Sequence, residues 1–452
     1  MKKLFIFFCV FVSLWFIFIS SLSFAQETKT EKPYKEMNLL SLQDAIDTAL
    51  KQNPMLKAVR EDVNLSLAKK KQARAMLMPS LSFTGYATGG NNPNIFTSPA
   101  GIMPQNIAAV PQDRFFMGNL TLMWPLFTGG RLQAMVKMQD AALKIAEKNL
   151  TAAELDTVLM VKEAYRMALL MSELVKVNEE MVARTEEQYR IDEVMYEVGK
   201  IPKAYVLRDE AEFASAKQML ANMKKDYELA LIELKTTLAM DLNAPVVLTD
   251  TLSYEDMTET LEGLMIQAVT LRPELLSAFL MIKQSEQDVK ISKSMFSPQL
   301  SAMLMSDTMR MLEKVDDMEE TMTRSRYTAG LVVGLPLYDA GFRSQKKKEA
   351  FAMKKKALAE YEAVKLRVTS DVHKAWLSLQ TAKQNIQTAE AVLESAKEEY
   401  RIMKLRYESG KGIQVEVLDA SVMLLEAQTN HVKAFYEYLT AKDKLMRAVG
   451  RQ

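Results

Sequence analysis

The sequence has almost none of the residues on which enzyme and metal sites depend. Its 452 residues include one cysteine, Cys9, and two histidines, His373 and His431. Cys9 lies in an apolar N-terminal run, which leaves the rest of the chain without disulfides or thiol chemistry. The histidines stand far apart on predicted helices, where solvated surface residues are the expected interpretation. Without clustered ligands or a glycine-rich phosphate loop, we predict no catalytic residues, no metal site and no cofactor, and therefore no enzyme.

An excess of charge of one sign is also missing. The chain has 58 Lys and Arg against 57 Asp and Glu, a net charge of +1. Such a balance gives no indication of a nucleic-acid partner. Beyond residue 25 no apolar stretch reaches the roughly 18 residues that a transmembrane helix needs. We therefore expect any membrane-spanning part to consist of strands, because only helices and closed barrels satisfy their backbone hydrogen bonds in lipid.

The N-terminus has the pattern of a secretory signal. Two lysines precede a continuous apolar run from Leu4 to Ile19, and the small residues Ser23 and Ala25 follow it. This arrangement predicts a cleaved signal peptide over residues 1–25. A membrane anchor is the alternative, but the run is short and polar sequence follows at once.

The remaining chain contains two copies of one pattern. Pro54 and Pro273 lie 219 positions apart, whereas Gly199 and Gly410 lie 211 apart. Other prolines, glycines and tyrosines keep these two spacings, so the change is confined to one loop. Constant spacing over such a length indicates structural repeats. We predict a first repeat over residues 26–240, a linker over 241–260 and a second repeat over 261–452.

Each repeat is predicted to begin with two helices divided by a proline. In the first, Leu42 to Gln52 is followed by Asn53 and Pro54, an N-cap and first-turn pair that starts a helix running to about Met78. Leu261 to Leu271 opens the second repeat in the same way.

Four segments then alternate apolar and polar residues with period two. Leu81 and Phe83 alternate with serine and threonine, for example, as barrel strands do. The intervening stretches, Asn91 to Pro111 and Arg310 to Thr323, are predicted hairpin loops. A soluble sheet packed on helices is the alternative. Aromatic residues that would lie at the membrane interface stand at the strand ends: Trp124, Phe127 and Tyr338.

Two very long helices form the strongest pattern. Neither Gly nor Pro occurs from Arg131 to Tyr196 or from Phe342 to Ser409, so each helix would span about 100 Å. Apolar residues at steps of four and three, from Ala382 to Tyr407 and from Val415 to Leu439, predict an antiparallel coiled coil. The arms turn at Gly199 and Gly410, which can adopt the left-handed conformation.

The predicted fold is mainly α with a transmembrane β part. Each repeat comprises a helix pair, a β-hairpin and a long antiparallel coiled-coil hairpin. Four strands per chain are too few to close a barrel, which needs about eight, so several copies must contribute.

Motifs at the strand-to-helix junctions and at the tips resemble those of one family. The junctions are Trp124 to Gly130 and Leu335 to Gly341, and the tips are Tyr196 to Lys200 and Tyr407 to Lys411. From about Leu40 to Gly450 the chain resembles a TolC-type outer-membrane efflux protein. The resemblance implies a homotrimer with a 12-stranded β-barrel in outer-membrane lipid, continued by a periplasmic α-helical barrel. Such a protein is a passive exit duct for an efflux or type I secretion complex.

The resemblance also implies a gate at the coiled-coil end. Glu416 and Asp419 match acidic gate residues, and Tyr407 matches a tyrosine that fastens neighbouring coils in the closed state. In a trimer the two acids would form a ring of six carboxylates, although acids are also favoured at a solvated helix start. Gly412 and Tyr205 depart from the family pattern, so any fastening must be built differently.

The same resemblance implies a periplasmic adaptor and an inner-membrane pump as partners. The adaptor would dock at the coiled-coil tips, around Gly199 and Lys200 and around Gly410 and Lys411. The rival hypothesis is a soluble periplasmic coiled-coil scaffold or adaptor, but adaptors generally combine one coiled-coil hairpin with β-rich domains.

Methionine is the one unusually abundant residue. There are 32, of which Met303, Met305, Met309 and Met311 lie beside the second hairpin. Thioether sulfur suits soft ions such as copper or silver, and ordinary packing uses methionine equally well. The sequence leaves both interpretations open and does not identify the cargo.

Overall fold

A computed structural model describes residues 38–89, 114–254, 256–315 and 318–452. The predicted signal peptide and the predicted loop from Asn91 to Pro111 lie outside these ranges. The first repeat contains β1 (Asn38–Leu40), α1 (Leu42–Gln52), α2 (Pro54–Ala75), β2 (Ser80–Gly89), β3 (Arg114–Phe127), α3 (Arg131–Glu197), α4 (Lys203–Thr237) and β4 (Val246–Leu248). The second contains α5 (Leu261–Leu271), α6 (Pro273–Ser294), β5 (Gln299–Val315), β6 (Met318–Gly334), α7 (Phe342–Glu408) and α8 (Gln414–Val449).

The proline-divided helix pairs form as predicted. Asn53 ends α1 and caps α2, because its side chain accepts hydrogen bonds from the backbone N–H groups of Met55 and Leu56 at 2.9 and 3.4 Å. Pro54 occupies the first turn of α2, where its missing N–H costs nothing. The helix ends at Ala75, three residues before the predicted end at Met78.

The longer strands form one antiparallel sheet in the order β2-β3-β5-β6, so β3 of the first repeat pairs with β5 of the second. The predicted alternation is present. Phe83, Leu120, Leu304 and Leu331 lie on one face and are exposed. Serine, threonine, asparagine and methionine occupy the other face. A small parallel pair, β1 with β4, ties the start of the described chain to the segment between the repeats.

The prediction of a loop from Arg310 to Thr323 is wrong. β5 continues to Val315 and β6 begins at Met318, with Arg310 opposite Thr323 across the ladder. Threonines in this stretch favour extended backbone, and the pairing satisfies backbone groups that a loop would leave to water. Glu313, Glu319 and Glu320 therefore belong to paired strands that extend well beyond their apolar part.

The long helices and their glycine turns are confirmed. α3 and α7 each contain 67 residues, which corresponds to about 100 Å. Gly199 and Gly410 at the tips have φ of 74° and 73°, in the left-handed region that glycine adopts without strain. Buried residues form one core cluster around Tyr165 and Leu234 and another around Val372, Tyr438 and Leu445.

The predicted heptad positions are right on α7 and wrong on α8. Ile386 and Tyr407 of α7 are buried, but Val415 and Val422 of α8 are 38% and 52% exposed. The buried α8 side chains near the tip are instead Gln414, Val417, Ser421 and Leu424. The physical reason is that α8 packs against α3 as well as α7, so its buried face lies between two partners.

Within the described ranges, no single helix is long and apolar enough to span a membrane. The helices α5 and α6, which meet at a bend of 42°, are together long and apolar enough by length and composition alone.

Candidate functional site

Four polar side chains from four helices meet at the tips of the coiled coils. They are Asp192 of α3, Asp209 of α4, Tyr407 of α7 and Gln414 of α8, which we call the tip cluster. Their exposed fractions are 0%, 1%, 6% and 1%. Asp192 lies five residues before the end of α3, Tyr407 lies one residue before the end of α7, and Gln414 begins α8. The helix ends thus bring together residues that are more than 200 positions apart.

Hydrogen bonds in the cluster join the two coiled-coil hairpins. The Tyr407 hydroxyl donates to the Asp192 carboxylate and lies 2.8 Å from each oxygen. Gln414 Nε2 lies 3.0 Å from Asp192 Oδ2, 2.8 Å from Asp209 Oδ1 and 2.9 Å from the Tyr205 carbonyl. An amide nitrogen has two hydrogens, so at most two of these bonds are complete at once. Gln188 Nε2 donates to Asp192 Oδ1 at 3.0 Å.

The electrostatics of the cluster are dominated by its two carboxyl groups. Burial, together with the hydrogen bond and charge of Asp192, raises the pKa of Asp209 from 3.8 to about 7. Gln414 and Arg208 oppose this rise. Burial also raises the pKa of Tyr407, as do its hydrogen bond and the charge of Asp192. Two adjacent buried carboxyl groups disfavour double ionisation, so the arrangement is that of an acid pair holding one proton near neutral pH.

Of the three predicted gate residues, only Tyr407 belongs to the cluster. Glu416 is partly exposed, approaches the Ile413 backbone N–H at 3.5 Å and lies 3.9 Å from Arg406. These contacts are those of a helix start, where a carboxylate compensates free N–H groups. Asp419 is exposed one turn further along α8. The structure does not bring these two acids to Tyr407.

The two departures from the family pattern are explained by the cluster. Tyr205 supplies a backbone carbonyl to Gln414 instead of an acidic side chain. At Gly412 an added Cβ would lie 3.2 Å from the Tyr407 backbone nitrogen, a tight contact in the turn. Asp192, Asp209 and Gln414 were missed by the sequence analysis, which looked for an acid at position 205.

Further along the same α3–α8 contact the bridges between repeats become ionic. The bridge nearest to the tips is a hydrogen bond that the Arg184 guanidinium donates to Gln428 Oε1 at 3.2 Å. Beyond it Asp443 is paired with Arg166 at 2.9 Å and with Lys162 at 3.4 Å. Burial raises the pKa of Asp443, and both cations oppose the rise. Along the α3–α8 contact the repeats are therefore joined by neutral donors at the tips and by mostly buried ion pairs far from them. Lys404 of α7 also pairs with Glu187 of α3 at 2.9 Å about one turn from the tip cluster.

The predicted docking and interface residues are accessible. The tip residues Gly199, Lys200, Gly410 and Lys411 are at the surface. Trp124, Phe127 and Tyr338 at the strand ends are 47%, 49% and 87% exposed. Trp124 Nε1 donates to the Leu77 carbonyl at 3.3 Å, which fixes its ring at the junction between sheet and helices. Within the described ranges, no group of three or more His, Cys, Asp or Glu side chains is arranged to hold a metal ion.

The sequence matches the family model of the outer membrane efflux proteins over residues 45–239 and 264–451. The chain belongs to this family. It is 23% identical to the pyoverdine export outer membrane protein OpmQ of Pseudomonas aeruginosa over 326 residues, which cover 72% of this chain and 67% of the relative.

Solved structures show the same fold. The CmeC outer membrane channel of Campylobacter jejuni superposes with a TM-score of 0.75 and 19% identity, covering 90% of this chain and 85% of CmeC. The outer membrane protein VceC of Vibrio cholerae superposes with a TM-score of 0.74 and 19% identity, covering 91% of this chain and 96% of VceC.

This protein is thus an outer-membrane exit duct of the TolC-like type. Its fold is that of a subunit of a trimeric channel, in which each chain contributes four strands to the barrel. The soluble scaffold hypothesis is not favoured.

Proposed function

We propose that the tip cluster is a latch that holds the periplasmic end of this duct closed. The observation that supports it is the convergence of Tyr407 and Gln414 from the second coiled coil on Asp192 and Asp209 from the first. Widening the tunnel at this end requires the coils to separate. Separation would break these bonds and expose both acids to water.

Apolar support near the latch comes mostly from small side chains. Among the described residues, the core cluster nearest the tips contains Ala396, Leu424 and Ala427, with Leu393 and Tyr400 packed against it, and Val417 and Ala420 of α8 are also buried there. Small side chains bury little area, and burial contributes roughly 25 cal/mol per Å². A hydrogen bond to a charged group contributes about 1.5–3 kcal/mol. The polar cluster therefore provides a large share of the free energy that keeps the tips together.

We also propose that Glu416 and Asp419 line the constriction below the latch. Both lie on the first turns of α8, outside the buried cluster, and are accessible. In a trimer they would form a ring of six carboxylates that attracts cations. The partial pairing of Glu416 with Arg406 would reduce the repulsion within that ring.

A periplasmic adaptor is proposed to dock at the tips, with an inner-membrane pump as the source of energy. The tip glycines and lysines are flanked by the apolar residues Val198 and Ile413, which are 63% and 56% exposed. Such a combination of exposed apolar and cationic groups is suited to a protein partner. Docking there would act directly on the helix ends that form the latch.

Tyr407→Phe tests the latch. The change removes one hydroxyl, keeps the ring and leaves Asp192 short of a donor. Purified trimers in planar bilayers should then show higher conductance and more frequent opening. Tyr196→Phe is the matched control, because Tyr196 occupies the equivalent position of the first repeat and is 42% exposed. Intact Tyr407→Phe trimers with the wild-type conductance would contradict the latch.

The constriction needs a separate experiment. Replacing both Glu416 and Asp419 with Ala should raise conductance and weaken block by divalent cations, because the ring that attracts them is removed. If conductance and block stay unchanged, the constriction lies elsewhere. That outcome leaves the latch untouched, since neither acid contacts the tip cluster.

A further inference from the structure

The four-stranded sheet has one apolar and one polar face, and its methionines are not divided evenly between them. Directly opposed residues share a face, so the strand pairing assigns every described strand position to one of two sets. One face has the apolar residues Leu81, Phe83, Leu120, Leu122, Trp124, Leu304, Leu331 and Val333. The other includes Ser80, Ser82, Thr84, Asn119, Thr121, Ser301, Asp307, Arg326 and Thr328.

Five methionines of the strands lie on the polar face. They are Met117 and Met123 of β3 and Met303, Met305 and Met309 of β5. If these methionines served as ordinary apolar filler, they would be expected on the face that contacts lipid, beside leucine and phenylalanine. In a barrel the apolar face meets lipid and the polar face lines the interior. The thioethers therefore line the exit path.

Three of these methionines form a compact group, and no charged residue lies directly opposite any of them. Met123 lies directly opposite Met303, and Met305 lies opposite Thr121, one same-face step along both strands. Directly opposed Cβ atoms are about 5 Å apart and diagonal ones about 7–8 Å, distances that methionine side chains bridge. The directly opposed and flanking residues on three sides are Ser80, Ser301, Thr328 and Gly330. On the fourth side, one same-face step beyond Met305, Asp307 lies opposite Arg326.

The second opposed pair, Met117 with Met309, has a different setting. Arg324 lies opposite Met309, and Asn119 next along the strand donates to Asp307. A guanidinium beside a thioether pair disfavours a cation there. The group of Met123, Met303 and Met305, which has no cation directly opposite it, is therefore the better soft-ligand site.

We propose that Met123, Met303 and Met305 bind a soft monovalent cation, Cu(I) or Ag(I), on its way through the barrel. Thioethers prefer such ions and have little affinity for hard cations. The ion enters and leaves without change of oxidation state. A site in a conduction path must bind weakly enough to release its ion, and neutral thioethers provide no charge that would trap it. The proposal deepens the exit-duct function by naming a substrate class, and it rests on the interior position of this face.

Silver nitrate titrated into purified trimers in chloride-free buffer tests the site. We expect saturable binding at about one ion per chain, and loss of that site in Met123→Leu/Met303→Leu/Met305→Leu, which keeps volume and apolarity but removes sulfur. The matched control is Met160→Leu/Met219→Leu/Met423→Leu, whose methionines are exposed on helices at 50%, 45% and 53%. Silver binding that survives in the strand variant, or that is lost in the helix control, overturns the proposal.

Two further readouts keep the test decisive. If the strand variant does not form trimers, silver should still shift the ¹³C-methyl NMR signals of Met123, Met303 and Met305 in the wild-type trimer, and no shift there refutes the site. Silver should also block single-channel current in wild type and not in the strand variant. Binding without block would place these residues away from the conduction path. The titration requires neither the latch nor an adaptor, so its failure leaves those proposals standing.

Discussion

The proton held by the tip cluster should make opening of the duct depend on pH, and Asp209→Asn should remove that dependence. In the latched state the pKa of Asp209 is about 7, against 3.8 for an exposed aspartate. At pH below 3.8 the acid is protonated in both states. Between the two values only the latched state holds the proton, so the latch weakens as pH rises. Above pH 7 the proton is absent from both, and the stabilisation is lost.

The magnitude follows from the two pKa values. A tenfold change in proton affinity corresponds to about 1.4 kcal/mol, so the full range amounts to on the order of 4 kcal/mol for each latch. Most of this proton-linked stabilisation is lost below pH 7, and the last part of it is lost between pH 6 and 8. The groups that face Asp209 are Asp192 and Gln188 from α3, Tyr205 and Arg208 from α4, Tyr407 from α7 and Gln414 from α8. Arg208 is the cation that opposes the raised pKa, and it is exposed.

Single-channel recording of purified trimers from pH 5.5 to 8.5 is the assay. Wild-type open probability should rise with pH and stop rising once the pH is well above 7. Asn at position 209 is neutral at every pH and still offers an N–H to Asp192, so Asp209→Asn should stay closed across the range. Glu210→Gln removes an exposed carboxylate from the adjacent position of the same helix and should keep the wild-type profile. If Asp209→Asn retains the pH dependence of the wild type, the shared proton is not part of the latch.

Two other predictions concern the α3–α8 contact and the tips. Asp443→Ala should lower the free energy of unfolding by about 3–5 kcal/mol, because Arg166 and Lys162 would remain mostly shielded from water without their carboxylate; thermal denaturation of trimers measures the loss, and a change below 1 kcal/mol would contradict it. Gly199→Val or Gly410→Val should abolish export while trimers persist on gels, since a β-branched residue is strained at a φ of 74° or 73° and would distort the docking surface. Normal export by either variant would argue against docking at the tips.

Local rules were sufficient to predict most of the fold. Runs without glycine or proline gave α3 and α7 nearly to the residue, and the turns at Gly199 and Gly410 followed from the left-handed conformation that glycine tolerates. Period-two alternation located all four strands of the sheet. It failed from Arg310 onwards, where charge was taken to indicate a loop. In that segment the backbone of β5 pairs with that of β6 despite the polarity of the sequence.

The candidate site was less accessible to such rules. Tyr407 was identified by its motif, but Asp192 lies among exposed glutamates of α3 and has no local feature that distinguishes it. Its burial depends on how four helices are positioned against one another over more than 200 residues. The same dependence explains the wrong heptad positions on α8, because the sequence of one coil does not reveal that α3 packs against its other side. The sequence did contain one sign of a different arrangement at the tips. Position 205 has a tyrosine instead of an acid, and position 412 has a glycine instead of a bulky residue.

The duplication explains why the latch can form within one chain. With the spacing of 211, Tyr407 corresponds to Tyr196 and Gln414 to Lys203, whereas Asp192 and Asp209 correspond to Met403 and Ala420. The first coiled coil therefore supplies the two carboxyl groups of the cluster, and the second supplies the donating hydroxyl and amide.

Two identical coils could not do this, because like carboxylates would meet each other without donors. Divergence of the repeats at these positions converts a symmetric contact into a complementary one. Because the donors are neutral, the bonds can break without leaving a buried unpaired cation, which the Arg166–Asp443 pair further along would leave. The coils should accordingly separate from the tips, with the ionic part of the α3–α8 contact remaining closed.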